Sequence, residues 1–390
     1  MPQKKRRAPQ SARERRAPQS AREIRRAKRR RKRLIRRAVW RSALSLMTFI
    51  VLTLVAVLCA GYQGFRGPSQ TMGDLLTVSM LETSALKFVP RIYYSEAQVD
   101  EITARNSIAD SEEETDTSLI VIAPPTPEPT ATPDPDAIPV ETPVPEPTAI
   151  PEPTLEPMSD KDGIQIYELR GNTYHGYMMI VQDPSRVTVG TSRDQFTKAA
   201  GLELYQIAQR YDALAAINGG AFQDGGGLGN GSTPIGLVVS EGKLLHNAEP
   251  NASRNLVIGF TQDDILVFGK WSTQQAYDKK LRDAVVFGPA LVQNGKAVDV
   301  RGISSGLNPR TAIGQRADGS VLLLVVDGRQ ANSLGATFSD LIKIMLDFDA
   351  VNAANLDGGS SSLLYYEGDY VNSGVALTGS RHLPTAFIVR

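Results

Sequence analysis

A run of 21 residues without a charged side chain, residues 42–62, constrains this chain most strongly. At about 1.5 Å per residue, a helix over this run reaches about 30 Å, the thickness of the hydrocarbon core of a bilayer. Residues 1–41 before it carry 19 Lys or Arg and only two acidic residues. Because positively charged flanks stay in the cytoplasm, the sequence predicts a single-pass membrane protein with an extracellular C-terminal part.

Two other interpretations of the apolar run fit less well. A cleaved signal peptide has a shorter apolar region followed by a small-x-small cleavage site, and the residues after Leu58 do not supply one. Lipidation of Cys59 is an alternative, but Leu58 matches a lipobox poorly. We therefore expect an uncleaved anchor. Cys59 is the only cysteine, so the exterior part contains no intrachain disulfide.

The basic head, residues 1–41, contains a nine-residue repeat in which residues 7–14 recur as residues 16–23. Its apolar content is too low for a core, which predicts a disordered cytoplasmic tail. Anionic lipid headgroups are the expected partner of such a tail. No nucleic acid is expected, because the Arg-rich run lacks interleaved aromatic residues.

Between the apolar run and the C-terminal region lie two segments of unusual composition. Residues 63–122 have little core-forming periodicity and predict a membrane-proximal stalk. Residues 123–158 are rich in proline, which favours extended polyproline II structure, so a disordered linker is expected there. At about 3.1 Å per residue this linker would span on the order of 100 Å and hold the following domain away from the membrane.

Residues 159–390 are long enough to form one domain with a sizeable core. Short apolar runs alternate there with turn signals, and the turns are of the kind that close hairpins. The pattern predicts an α+β fold: a mixed, largely antiparallel β-sheet domain with a few helices. The predicted hairpin turns are Glu241-Gly242, Asp263-Asp264, Asn294-Gly295, Asp318-Gly319 and Glu367-Gly368.

Two helices are predicted in this domain, over residues 202–211 and 338–348. The second follows Thr337, with Asp340 three residues on, which is the spacing of a capping box. Each helix leads into a strand that ends in a glycine pair, Asn218-Gly219-Gly220 in one case and Asp357-Gly358-Gly359 in the other. This repeated arrangement predicts that the two glycine loops meet at one cleft.

Polar clusters at predicted strand ends supply the chemistry. Arginine side chains can bind phosphate or carboxylate oxygens through two hydrogen bonds, and glycine-lined N–H groups can bind anions. Paired carboxylates can divide the acid, base or nucleophile roles that hydrolysis at an anomeric carbon requires. The clusters are Asn218–Phe222, Asn308–Ala312, Asp327–Arg329 and Asp357–Ser362.

Taken together and in this order, the clusters resemble the phosphodiester glycosidase family. The resemblance also includes the runs 234–242 and 287–292 and Arg381 near the end. It implies an enzyme that hydrolyses the glycosidic bond of a sugar-1-phosphodiester in a surface glycan or exopolysaccharide. One departure is Ser360, where the family often has a third glycine.

The resemblance and the residue chemistry together assign roles. Asp357 is expected as the principal catalytic acid with Asp327 as its partner, and which carboxylate performs which step stays open. The arginines are expected on phosphate and the other residues around the substrate. The expected substrate-binding residues are Asn218, Gly219, Gly220, Arg310, Thr311, Arg329, Gly358, Gly359, Ser360 and Arg381.

Three alternatives remain at this point. A serine hydrolase would need a base near Ser360 or Ser361, and the chain lacks a G-x-S-x-G elbow. A non-catalytic module that binds cell-wall glycan or another anionic polymer is the more serious rival. A divalent cation such as Ca²⁺ is possible in the Asp-rich loops, although no ligand spacing is specific for it.

Overall fold

The computed structural model describes residues 21–83, 86–109, 113–122, 156–223, 229–247, 256–372 and 381–390. The chain divides into two compact units, Met1–Gln63 and Gly64–Arg390. The helices are α1 Ala21–Arg66, α2 Gln70–Leu81, α3 Pro90–Tyr93, α4 Glu96–Arg105, α5 Leu204–Arg210, α6 Thr273–Asp278 and α7 Phe338–Asp347. The strands are β1 Ser159–Lys161, β2 Ile164–Arg170, β3 His175–Val181, β4 Val187–Thr191, β5 Ala215–Asn218, β6 Leu237–Ser240, β7 Lys243–Asn247, β8 Leu256–Phe260, β9 Leu266–Gly269, β10 Asp283–Phe287, β11 Ala290–Gln293, β12 Lys296–Ala297, β13 Arg310–Arg316, β14 Val321–Val326, β15 Ala350–Leu356, β16 Leu364–Tyr366, β17 Asp369–Tyr370 and β18 Thr385–Val389.

Helix α1 begins well before the apolar run. It starts at Ala21, so the second half of the basic head is helical and not disordered as predicted. Arg, Lys and Ala are strong helix formers, so the helix extends through the basic residues. By length and composition, residues 24–66 include one helix able to cross a membrane. Residues 1–20 lie outside the described part.

The segment predicted as a stalk packs against the C-terminal domain. Helices α2 and α4 start at serine caps, Ser69 and Ser95, and bury Val78, Val99 and Ile102. Further along, Ile108 and Val300 form an isolated antiparallel bridge. Residues 64–122 thus belong to the same compact unit as the domain, because even sparse apolar positions suffice when each finds a partner.

Most of the proline-rich linker, residues 123–155, lies outside the described residues. Its two flanks are both fixed on the domain. The Val121 N–H donates to the Ala317 carbonyl oxygen, and the Met158 N–H donates to the Ile166 carbonyl oxygen. The linker therefore leaves one compact unit and returns to it.

Three antiparallel sheets make up the domain, which confirms the predicted α+β class. An eight-stranded sheet has the order β1-β2-β3-β14-β13-β15-β11-β12, and two five-stranded sheets have the orders β7-β6-β10-β8-β9 and β17-β16-β5-β18-β4. All five predicted hairpin turns join neighbouring antiparallel strands. At Asn294-Gly295 both residues have positive φ, as a two-residue hairpin turn requires.

The main core lies between the three sheets. Strand β14 is buried on both faces: Val321, Leu323 and Val325 face this core, and the residues between them face α7. A continuous apolar run is the pattern that such a strand needs. Helices α5 and α6 cover the outer faces of the two smaller sheets.

The predicted helix after Thr337 is α7, and its cap is the predicted one. The Thr337 hydroxyl accepts from the Asp340 N–H at 3.2 Å, and the Asp340 carboxylate accepts from the Thr337 N–H at 2.8 Å. This capping box satisfies two of the N–H groups that a helix start leaves without partners. Helix α7 then leads directly into β15 and so fixes the approach to Asp357.

Candidate active site

Both candidate carboxylates follow strands that end at one edge of the large sheet. Strands β14 and β15 lie on either side of β13 and pair with it antiparallel, so they run parallel to each other. The register pairs Arg310 with Val326 and Thr311 with Leu356. Since paired strands are about 4.8 Å apart, Asp327 and Asp357 leave the sheet about 10 Å apart across the start of β13.

The two glycine loops meet at this edge, as the sequence predicts. The Asn218 side-chain Nδ2 donates to the Asp357 carbonyl oxygen at 2.5 Å, and the Asp357 N–H donates to the Gly219 carbonyl oxygen at 3.2 Å. Asn218 Oδ1 accepts from the Thr311 hydroxyl at 2.8 Å and from the Leu363 N–H at 3.3 Å. The fully buried Asn218 thus joins β5 of one sheet to β13 and β15 of another.

Glycine is required at two points of these loops. A Cβ on Gly220 would lie 2.9 Å from the Val286 carbonyl oxygen, so a side chain does not fit. Gly359 has a φ of +65°, in the left-handed region that favours glycine. Its neighbour Gly358 has extended backbone and packs against Pro309. These positions bring the main chain of the loop directly against the start of β13.

Of the two candidate carboxyl groups at this edge of the sheet, that of Asp357 has the more strongly shifted pKa. Burial raises its pKa to about 7, against the opposing effect of hydrogen bonds from the Ser361 side chain and the Gly358 backbone. The residue as a whole is half-buried. A carboxyl group with a pKa near the working pH can both donate and accept a proton.

Asp327 is held by residues that the sequence analysis did not single out. Asn372 Nδ2 donates to Asp327 Oδ1 at 2.8 Å and to the Ser362 carbonyl oxygen at 3.1 Å. Asp327 Oδ2 lies 3.6 Å from Nδ1 of His175, whose Nε2 lies 2.7 Å from Glu168 Oε1. Burial raises the pKa of Asp327, and the Asn372 and His175 contacts oppose this. Asp327 is therefore connected through Asn372 to the segment that follows Asp357.

Arg329 places a cation beside the glycine loop, although the residue is exposed as a whole. Its Nη2 donates to Asn308 Oδ1 at 2.8 Å, and a Cβ on Gly359 would lie 3.4 Å from its Nη1. Burial lowers its pKa, and the neighbouring Arg310 lowers it further. Within the described ranges no carboxylate forms an ion pair with Arg329, although the Glu82 carboxylate opposes the fall in its pKa.

Arg310, in contrast, has protein acceptors for its Nη2 and Nε donors. Its Nη2 donates to Glu82 Oε2 at 2.6 Å, to the Gly306 carbonyl oxygen at 2.8 Å and to the Ser305 hydroxyl at 3.0 Å. Its Nε donates to the Ala336 carbonyl oxygen at 3.1 Å. A contact between Arg310 Nη2 and substrate, as the sequence predicts for this arginine, would require displacement of the Glu82 carboxylate.

Arg381 and Ser360 lie together at the far side of the loop. Arg381 Nη1 donates to the Ser360 hydroxyl at 3.0 Å, and its guanidinium carbon lies 5.0 Å from the centre of the Phe222 ring. Burial lowers the pKa of Arg381. The serine that departs from the usual third glycine thus gives the loop a side-chain contact with an arginine.

Sequence reasoning missed Glu82, His175 and Asn372 because none lies in a recognisable motif. For His175, the pairing of its strand with β14 would have indicated that it lies near Asp327. It begins β3, and its carbonyl oxygen accepts from the Asp327 N–H at 2.9 Å. Correct pairing of β3 with β14 would have placed it beside Asp327. For Asn372 and Glu82 no local signal exists, because their partners lie in other elements.

The predicted Ca²⁺ has no carboxylate cluster to hold it within the described residues. No group of three or more His, Cys, Asp or Glu side chains there has the geometry to bind a metal ion. The half-buried Asp357 and the buried Asp327 each take hydrogen bonds from neutral side chains instead. A cation at this site stays a prediction.

Comparison with known proteins finds one family for this domain. Residues 211–390 match the model of the phosphodiester glycosidase family. The SPbeta prophage-derived uncharacterized protein YomE of Bacillus subtilis is 29% identical over 206 residues, which cover 49% of this chain and 29% of that protein. The N-acetylglucosamine-1-phosphodiester alpha-N-acetylglucosaminidase of Bos taurus is 30% identical over 183 residues, covering 42% of this chain and 33% of that protein.

A solved structure, the zebrafish N-acetylglucosamine-1-phosphodiester alpha-N-acetylglucosaminidase catalytic domain auto-inhibited by pro-peptide, aligns with a TM-score of 0.49 at 21% identity. The alignment covers 60% of this chain and 85% of that chain. The present chain spans about a third of the length of the curated relatives it matches. The matched residues include both glycine loops, Asp327, Asp357 and all three arginines. Residues 211–390 are thus similar to the phosphodiester glycosidase family, which confirms the resemblance inferred from the motifs.

Proposed function

We propose that this chain is a membrane-anchored extracellular hydrolase that cleaves the glycosidic bond of a sugar-1-phosphodiester in a surface glycan or exopolysaccharide. The observation that carries the proposal is the carboxyl of Asp357, whose pKa is about 7 and which lies where the two glycine loops meet. At neutral pH a substantial fraction of this group is protonated. It can therefore give a proton to the departing phosphate oxygen.

In the proposed reaction, water supplies a new oxygen to the anomeric carbon while the bond from that carbon to the phosphate oxygen breaks. The phosphate leaves as a monoester and takes the proton of Asp357, and the proton that the attacking water loses restores the Asp357 carboxyl. Arg329 would hold the phosphate, because its exposed guanidinium lies beside the glycine loop and forms no ion pair with a carboxylate in the described part of the chain.

Asp327 fits a supporting role in this scheme. One of its oxygens accepts from Asn372, and the other lies near His175. Through Asn372 it fixes the position of Ser362 and hence of the loop that carries Asp357. Arg381 would fix the same loop from the other side through Ser360.

The proposed cellular location is argued from the N-terminal part of the chain. An apolar helix within residues 24–66 supports membrane anchoring, and the basic residues before the apolar run favour a cytoplasmic N-terminus. The C-terminal domain would then lie outside the cell. The basic residues would contact anionic lipid headgroups on the cytoplasmic face.

The test is release of free sugar by the purified full chain in detergent, from an N-acetylglucosamine-1-phosphodiester and from a teichoic-type polymer. Asp357→Asn should lower the rate by about 10²-fold or more, because it keeps the shape and removes the proton donor. Asp263→Asn, in an exposed hairpin turn, is the matched control and should keep full activity.

Two results would count against the proposal in different ways. If the wild-type chain binds these polymers and releases no sugar, the domain is a glycan-binding module. If Asp357→Asn retains full activity, the hydrolase stands and the assignment of its acid is wrong. Repeating the assay with a chelator tests the divalent cation.

A further inference from the structure

A small apolar surface lies on the segment between α2 and α4. Leu86, Phe88 and Ile92 expose 43%, 60% and 54% of their surface. Lys87 and Arg91 stand between them, both exposed. We refer to these five residues as the 86–92 patch. Scattered exposed apolar residues are ordinary, but an aromatic and two aliphatic side chains interleaved with cations within seven residues are a specific combination.

The patch is tied to the end of helix α1. The Tyr93 ring, next to Ile92, stacks on the Phe65 ring with centroids 4.7 Å apart. Arg66 Nε donates to the Tyr93 carbonyl oxygen at 2.9 Å, and the Arg66 guanidinium lies 4.4 Å from the centre of the Tyr94 ring. Phe65 is three residues beyond the apolar run, which corresponds to about 5 Å along a helix.

We propose that the 86–92 patch lies in the headgroup region of the bilayer and holds the C-terminal domain at the membrane surface. This inference rests on the proposed membrane anchor. The occupant follows from continuity and charge, because Tyr93 and Tyr94, directly after the patch, contact Phe65 and Arg66, which follow the apolar run by three and four residues in the sequence. Its two cations suit lipid phosphates, and its aromatic and aliphatic side chains suit the interface.

Residues 64–122 pack on the domain, so the position of the patch at the bilayer would also determine the position of the domain. Glu82, four residues before Leu86, contacts Arg310 and Asn308 at the edge of the candidate site. Ser79 accepts from the Leu307 N–H at 2.9 Å. A domain fixed in this way to the segment after the anchor works on substrates at the bilayer surface.

The experiment places one environment-sensitive NBD dye at single cysteines in the full chain. Cys59 is the only native cysteine, so Cys59→Ala provides the background. Phe88→Cys tests the patch. Val121→Cys is the matched control, since Val121 is also apolar and 70% exposed but hydrogen-bonds to Ala317 on the domain. The chain is reconstituted in vesicles of phosphatidylcholine and phosphatidylglycerol that contain nitroxide-labelled lipid.

The nitroxide lipid should quench the dye at position 88 several-fold more than the dye at position 121. Equal quenching at the two positions would overturn the proposal. A dye at position 88 that is shielded from aqueous iodide but not quenched by the lipid would also overturn it and point to a protein partner. Val55→Cys reports the anchor separately: if its dye escapes lipid quenching, the membrane anchor itself fails and the inference falls with it.

Discussion

Asn218 joins β5 to the main chain of Asp357 through one end of its buried carboxamide, with its Nδ2 2.5 Å from the Asp357 carbonyl oxygen. Asn218→Asp would place a carboxylate oxygen against that carbonyl oxygen and remove the donor. We expect the free energy of unfolding to fall by about 3 kcal/mol, since a buried acceptor loses its partner and a charge is buried. Urea unfolding measures this. Asn247→Asp, at an exposed position, should change it by less than about 0.5 kcal/mol.

The raised pKa of Asp357 predicts a fall in rate at alkaline pH. If the protonated carboxyl is the acid, kcat/KM should decline about tenfold per pH unit above pH about 7. A rate that instead rises through pH 7 would make Asp357 a base. In Asp357→Asn the residual rate should show no break near this pH.

The same group predicts how stability changes with pH. Because its pKa is about 7 when folded and near 3.8 otherwise, the folded chain keeps a proton that the unfolded chain releases. Its contribution to stability is therefore present at acid pH and is lost as the pH rises toward 7. Between pH 5 and pH 8, Asp357→Asn should gain stability relative to the wild type. An unchanged difference between the two proteins across this range would contradict the raised pKa.

Gly359 and Gly242 form a matched pair for testing the loop. Both have positive φ, +65° and +75°, so an alanine at either position costs about 1 kcal/mol of backbone strain. At Gly242 nothing lies within 4 Å of the added Cβ, whereas at Gly359 it meets Arg329 Nη1 at 3.4 Å. Gly359→Ala should therefore raise KM for the sugar phosphodiester, and Gly242→Ala should leave it unchanged. Equal KM values would remove Arg329 from the substrate site.

The contacts of Glu82 predict that the segment after α1 stabilises the domain. Glu82→Ala removes the acceptor for Arg310 Nη2, Asn308 Nδ2 and the Gly306 N–H. The free energy of unfolding should fall by about 2 kcal/mol, because a buried arginine loses its carboxylate. Glu96→Ala is the control on the same segment. Glu96 is exposed, and its ion pair with Arg91 is weak because the charged atoms are 4.0 Å apart. If Glu96→Ala lowered the free energy of unfolding as much as Glu82→Ala, the stabilising role of Glu82 would be contradicted.

Much of the domain could be predicted from local sequence. Alternating apolar residues and turn residues locate the hairpins, and Thr337 with Asp340 locates the start of α7. The meeting of the two glycine loops also follows from the repeated helix, strand and glycine order. These features depend on residues close together in the chain, where spacing carries the information.

The features of the fold and of the candidate site that could not be predicted depend on contacts between residues that are distant in the sequence. Nothing near Arg310 indicates that Glu82 occupies its guanidinium, since the two are far apart in sequence and join different elements. Residues 64–122 lack long periodic runs, so their packing on the domain was not visible either. The buried link from Asp327 to the Asp357 loop exists only because Asn372 returns to β14 after the β16–β17 hairpin.

The proline-rich segment begins and ends on the same folded unit, and this changes what a single cut within it would do. A protease acting between residues 123 and 155 would divide the chain without releasing residues 156–390. The two fragments would stay together through the contacts of residues 64–122, including the ion pair of Glu82 with Arg310 and the bridge of Ile108 with Val300. If the proposed membrane anchor holds the chain, release of the domain from the membrane would require a cut before residue 64, where that unit begins.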